Sequence, residues 1–282
     1  MALKGIAVLV TGATGGIGQA LVRELVSQGA QVLAVGRRGE ALHALASGLG
    51  ERGRQVQPVQ ADVATESGVA SIVTACRQSV APVRVVIHAA AIGGFGGFES
   101  TQPAHIAASL QTDLLAPLLL TQALLPLLKA QPNAQVVAVG SALGHIGYPG
   151  QVSYCAAKFG LRGAFEALAR EYADSTVQFQ WLSPRATRTA FNSAAVDELN
   201  ARLKTAVDAP EAVAAQLMGA IRNRRARLQI GWPEKLFVRL NGAFPALVDR
   251  ALRRDLAIIR SFFNRTATPS LLAASNTQGE MK

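Results

Sequence analysis

Short runs of branched apolar residues alternate with stretches whose apolar positions recur at helical spacing, and this alternation most limits what the 282-residue chain can fold into. Strands are expected at 6–11, 31–36, 56–60, 83–89, 134–140, 177–182 and 227–231. Helices are expected at 16–28, 39–48, 66–78, 103–130, 151–173 and 209–223, the last opening on Asp208 and Pro210 as cap and first-turn pair. Such βαβ units close into an α/β fold, a doubly wound seven-stranded parallel sheet with helices on both faces. The alternation stops near residue 232. A catalytic domain at 1–232, a helical C-terminal extension at 233–265 and a disordered tail of small polar residues at 266–282 are therefore expected.

Half of the residues are hydrophobic and only 16% are charged, enough for a large core. No run of about 18 uncharged apolar residues occurs, so no spanning helix is expected. The opening MALKGIAVLVTG passes from one lysine into a strand-like run and resembles neither a secretory signal nor a transit peptide, which predicts a cytoplasmic setting. Cys76 and Cys155, and the histidines 43, 88, 105 and 145, lack ligand spacing, so neither a metal nor a disulfide is assigned. The net charge of +10 is uneven. Residues 221–282 hold 12 Lys or Arg against 4 Asp or Glu, a balance of +8, leaving +2 for the rest. A basic tail on a nearly neutral domain does not read as a nucleic-acid binder.

The first strand runs into Thr11-Gly12-Ala13-Thr14-Gly15-Gly16-Ile17-Gly18, and helical spacing begins at once. Glycines there let the backbone turn tightly and approach a pyrophosphate, whose charge meets free N–H groups at the helix start. Gly12, Thr14, Gly15, Gly16, Ile17 and Gly18 thus read as a dinucleotide loop. At the end of the second strand stands Gly36-Arg37-Arg38, where an enzyme selecting NAD usually has an acid. Two guanidinium groups suit a 2′-phosphate, so NADP(H) is expected over NAD(H).

After the fifth strand come Ser141 and, on a helix, Tyr154 and Lys158, four apart and so on one face. An ammonium beside a phenol favours the phenolate, which lets tyrosine exchange a proton; Ser141, at a strand's C-terminal end, is placed to hydrogen-bond a carbonyl oxygen. In order, TGATGGIG, Ser141 and YCAAK make residues 4–232 resemble the short-chain dehydrogenase/reductase family.

The resemblance implies a Rossmann-type fold and an oxidoreductase acting on CH–OH or C=O groups, in which Tyr154 exchanges the substrate proton, Lys158 holds the nicotinamide ribose and Ser141 orients the carbonyl. It implies further cofactor contacts at Asp62 and Val63 beside adenine, at Ala89, Ala90 and Ala91 after the fourth strand, and at Pro184, Thr187 and Thr189 toward the nicotinamide. Leu143, His145, Tyr148 and Arg185 fall where the family lines its substrate pocket, and helix 103–130 with the Tyr154 helix implies a homodimer or homotetramer. Three positions depart from the family. His88-Ala89-Ala90-Ala91 replaces NNAG, Asp113 replaces the asparagine of the proton relay, and Arg185 replaces the glycine after Pro184.

Apolar residues at helical spacing in 233–265, interleaved with arginines, predict helices packed beside the cleft with arginines outward. The same pattern suits a peripheral contact with a membrane or an acidic carrier. The expected substrate is a small hydrophobic carbonyl or alcohol compound. The alternatives are a non-catalytic NADP-binding regulatory protein and an epimerase or dehydratase on the same scaffold.

Overall fold

A computed structural model describes residues 3–265. The run 266–282, expected to be a disordered tail, lies outside the described residues. Seven parallel strands, β1 (Ala7–Thr11), β2 (Gln31–Gly36), β3 (Val56–Gln60), β4 (Val83–His88), β5 (Ala134–Val139), β6 (Val177–Ser183) and β7 (Arg227–Gln229), form one sheet in the order β3-β2-β1-β4-β5-β6-β7. β1 and β5 are buried along their whole length, as strands covered by helices on both faces must be. The order reverses between β1 and β4, which opens a crevice at the C-terminal strand ends.

One face carries α1 (Gly16–Ser27), α2 (Gly39–Ser47) and α8 (Pro210–Arg222), whose Leu21, Leu25, Leu42, Leu217 and Ile221 pack on Val8, Val10 and Val32. The other carries α3 (Glu66–Arg77), α5 (Ala116–Lys129) and α6 (Val152–Glu171), with Ile72, Leu120, Leu124 and Phe165 against Leu9, Val86 and Val136. The expected helix at 103–130 is a continuous run, Pro103–Lys129, long and apolar enough to cross a membrane. It nevertheless lays Leu120, Leu124 and Leu128 on the sheet and buries an aspartate. Between α4 (Pro103–Leu110) and α5 its backbone widens by one residue per turn over Gln111–Leu115, a π segment that re-aims Asp113.

The structure differs from expectation in two elements. α8 is capped at Ala209 with no side-chain bond, because Asp208 is taken by Arg185. A helix absent from the sequence reading, α7 (Ala194–Arg202), follows Ser193, whose hydroxyl accepts from the Val196 amide. The extension forms α9 (Glu234–Ala243) and α10 (Pro245–Arg260). Ile259 and Phe262 seal against Leu199 of α7, with Phe95, Tyr148 and Phe263 alongside. α9 buries nothing completely, and Leu236, Phe237 and Leu247 face out.

Candidate active site

Gly12 sits at φ +64°, and a side chain there would meet the Ala89 carbonyl and the Ala90 backbone at 2.7 Å, so the loop after β1 rests directly on the turn after β4. That turn is held from below by Thr11, whose hydroxyl accepts from the amides of Ala89 at 3.2 Å and Ala90 at 3.3 Å. His88 occupies the first position of the altered turn. Its Nε2 lies 2.9 Å from the Thr121 hydroxyl, and burial lowers its pKa to about 3, so it stays neutral. Thr11, Thr121 and His88 thus supply contacts beside the turn where the family has asparagine amides.

A Cβ on Gly16 would fall 2.3 Å from the Thr189 methyl, which places the loop after β6 above the glycine loop. α1 begins with no side-chain cap and no acid in its first turn. Its opening amides, from Gly16, Ile17 and Gly18, are therefore uncovered by any local side chain, which is what a diphosphate requires. Thr14 lies beside Gly36, and the exposed Arg37 and Arg38 follow without any ion pair among the described residues. Asp62 accepts the Ala64 amide at 2.9 Å and so fixes the turn after β3, with Val63 packed on the core.

Ser141, Tyr154 and Lys158 converge at the end of β5. Ser141 Oγ accepts from the Leu143 amide at 3.1 Å and is hydrogen-bonded to Tyr154. Lys158 Nζ lies 5.4 Å from the Tyr154 ring centre and 3.6 Å from Asp113 Oδ2. Asp113 is fully buried, and its other oxygen accepts the Ile92 amide at 2.7 Å. Burial raises the Asp113 pKa, against the pull of the Lys158 ammonium and the Ile92 amide. Burial likewise raises the Tyr154 pKa. Lys158 and Ser141 lower it but do not prevail, and Asp113 adds to the rise. The expected phenolate-favouring effect of Lys158 is present and is outweighed.

Two expected pocket residues are engaged elsewhere. Arg185 forms a bidentate pair with Asp208 at 2.7 and 2.9 Å, donates to the Trp232 carbonyl at 2.8 Å and meets Glu234 at 3.5 Å. Its charge is spent on two carboxylates, so it is not free for an anionic substrate. The His145 ring accepts the Trp181 indole N–H at 3.0 Å, its carbonyl accepts from Asn241 at 2.7 Å, and burial lowers its pKa to about 4. Tyr148 borders the cleft in the cluster with Phe95 and Phe263, and burial raises its pKa to about 12. Pro184 accepts the Ala142 amide, and Thr187 bonds the Arg185 carbonyl, so both shape the loop after β6.

Phe95 and Phe191 were missed by the sequence reading, and Phe263 falls in the extension expected beside the cleft. Phe191 stacks 5.6 Å from Tyr154, and Phe95 meets Phe263 at 5.6 Å. Gly93 and Gly150 permit this, since a side chain on either would collide with Phe191 or with Phe95 and Phe263. The run Gly93-Gly94-Phe95-Gly96-Gly97-Phe98 was the available signal.

A glycine loop at the switch point of a doubly wound sheet, with serine, tyrosine and lysine gathered beside it, defines a nucleotide-binding oxidoreductase of the Rossmann type. Residues 6–200 match the family model for short chain dehydrogenase, and the chain belongs to that family. It is 32% identical over 205 residues, 73% of this chain and 81% of the relative, to nodulation protein G of Rhizobium sp. strain N33. Among solved structures, it superimposes with a TM-score of 0.79 at 20% identity on a short chain dehydrogenase/reductase from Burkholderia phymatum in complex with NAD, covering 88% of this chain and 96% of that one. A short chain dehydrogenase from Burkholderia cenocepacia J2315 in complex with NADP gives 0.75 at 20% identity, covering 89% and 99%.

Proposed function

We propose that the chain is a cytoplasmic NADP(H)-dependent dehydrogenase or reductase that interconverts a carbonyl and an alcohol on a hydrophobic substrate, working as a homodimer or homotetramer. The observation that carries the chemistry is the convergence of Ser141, Tyr154 and Lys158 beside the uncapped start of α1. When bound, the nicotinamide supplies or accepts the hydride. Ser141 holds the carbonyl oxygen, and Tyr154 gives its proton to that oxygen during reduction or takes one back during oxidation. Lys158 carries the positive charge that eases loss of the tyrosine proton, with Asp113 behind it. Arg37 and Arg38 are the groups proposed to select the 2′-phosphate, and Phe95, Phe191, Phe263 and Tyr148 give the substrate an apolar wall.

The test joins calorimetry to turnover. NADPH should bind at least tenfold tighter than NADH, about 1.4 kcal/mol, and Arg37→Ala should erase much of that gap. Tyr154→Phe should abolish turnover across a panel of apolar ketones and aldehydes while NADPH still binds. Equal cofactor affinities would remove the NADP assignment, and a fully active phenylalanine variant would remove Tyr154 from the mechanism.

A further inference from the structure

The helical hairpin α9–α10 leaves a large apolar surface in solvent. Trp232, Leu236, Phe237, Phe244 and Leu247 are between 39% and 63% exposed. At about 100° per residue, Leu236 lies on the side of α9 opposite Glu234 with Leu240 beside it, while Phe237 borders the side on which Asn241 bonds the His145 carbonyl. The Leu236 side therefore points away from the body, and Phe237 at its edge is still partly exposed. Between the helices, residues 242–247 read Gly-Ala-Phe-Pro-Ala-Leu, uncharged and exposed throughout. Scattered apolar side chains on a surface need no explanation, but a contiguous patch does.

The charges around it are sorted by sign. Two of the hairpin's three acids are turned to the body, Glu234 meeting Arg185 and Asp255 acting on Tyr148, while the exposed Asp249 stands with Arg253 on the rim of the groove of about 550 Å³ between α10 and the loop of Gly147, Tyr148 and Pro149. Arg239, Arg250, Arg254 and Arg260 are exposed and form no ion pair among the described residues. An outward face that combines tryptophan, phenylalanine and leucine with four unpaired arginines and a single exposed acid at its rim has the chemistry of an interfacial helix.

We propose that the α9–α10 hairpin is a docking surface for an anionic lipid bilayer, with Trp232, Leu236, Phe237, Phe244 and Leu247 entering the headgroup boundary and the arginines meeting lipid phosphates. A second copy of the chain fits this face poorly, since a two-fold contact would set the same unpaired arginines against each other. The segment 266–282 holds one lysine and one glutamate and cannot neutralise them. The proposal stands apart from the hydride chemistry, and its test does not use turnover.

The 282-residue chain is floated with vesicles of phosphatidylcholine alone and of phosphatidylcholine mixed with phosphatidylglycerol. It should rise with the anionic vesicles and stay behind with the neutral ones, and salt should weaken the association. Arg250→Gln and Arg254→Gln should each lower the partition roughly fivefold. Phe237→Ser with Phe244→Ser and Leu247→Ser should lower it at least about tenfold with an unchanged circular dichroism melt, because these side chains are exposed. Absence of flotation with anionic vesicles overturns the proposal, as does partition unaffected by both sets of variants. If polyglutamate binds as tightly as the vesicles and does so in the serine variant, the surface recognises acidic polypeptide and the lipid assignment falls. If light scattering shows the serine variant dissociating an oligomer while vesicle partition is unchanged, the face joins copies of the chain instead.

Discussion

A carboxylate has replaced an amide at Asp113, and its consequence is electrostatic. The π segment at Gln111–Leu115 and the Ile92 amide hold its oxygens in a dry site, 3.6 Å from Lys158. A negative charge there opposes formation of the Tyr154 phenolate, and burial already raises the tyrosine pKa. In the oxidative direction Tyr154 must lose its proton, so activity should rise with pH on a limb set by that raised pKa. In the reductive direction the protonated form is needed, so activity should persist to correspondingly high pH. Asp113→Asn removes a charge that raises the Tyr154 pKa, so both limbs should move to lower pH, by about one unit if the phenolate gains on the order of 1.4 kcal/mol. Rate profiles of the two proteins decide it. A profile that keeps its position while its height falls would show that Asp113 acts only by supporting Ile92. The tyrosine, lysine and serine were legible because their spacing survives in one dimension. The balance of burial against charge that sets the tyrosine pKa was not, since it depends on elements brought from residues 92 and 113.

At the level of elements, the strands and sheet helices were legible nearly to their ends because their apolar periodicity answers to the sheet itself. α7 was not, although Ser193 could cap it and Ala195, Leu199 and Leu203 recur every fourth residue. Their packing partners, Ile259 and Phe262, lie about sixty residues later, so the segment's reason for being helical is remote in sequence. Arg185 was misjudged on similar grounds. Read after a strand it looked available to substrate, whereas Asp208 and Glu234 consume it. This arginine ties the loop after β6, the start of α8 and the start of α9 together through a bidentate pair and the Trp232 carbonyl. Arg185→Ala leaves Asp208 partly buried without a partner, which should lower unfolding free energy by about 2–3 kcal/mol. The extension should loosen first, so limited proteolysis should cut near residue 232 in the variant before the sheet domain is touched. Equal cutting rates in the two proteins would mean that the contacts of Ile259 and Phe262 hold the extension alone.

For the whole molecule, the exposed apolar residues of the hairpin and those of the long helix differ in their electrical surroundings. The hairpin patch is ringed by arginines. Those of the long helix, Leu115 and Leu119, are each more than a third exposed. No acid or base of α5 lies near its middle, since Lys129 at the far end is the one ionisable residue in that helix. A neutral apolar face can meet its own copy across a two-fold axis without opposing like charges, which suits self-association where the hairpin does not. Gly160 of α6, where a side chain would press on Leu114 at 3.0 Å, shows how closely the two helices already pack within one chain. An interface built here would lie directly behind Asp113 and Lys158 and would stiffen the elements that hold them. Leu115→Glu with Leu119→Glu should therefore give a monomer by light scattering. The melting temperature should fall through lost association, and turnover should fall with it if the Asp113 pair needs the support. An unchanged molar mass in that variant would place the contact between copies elsewhere.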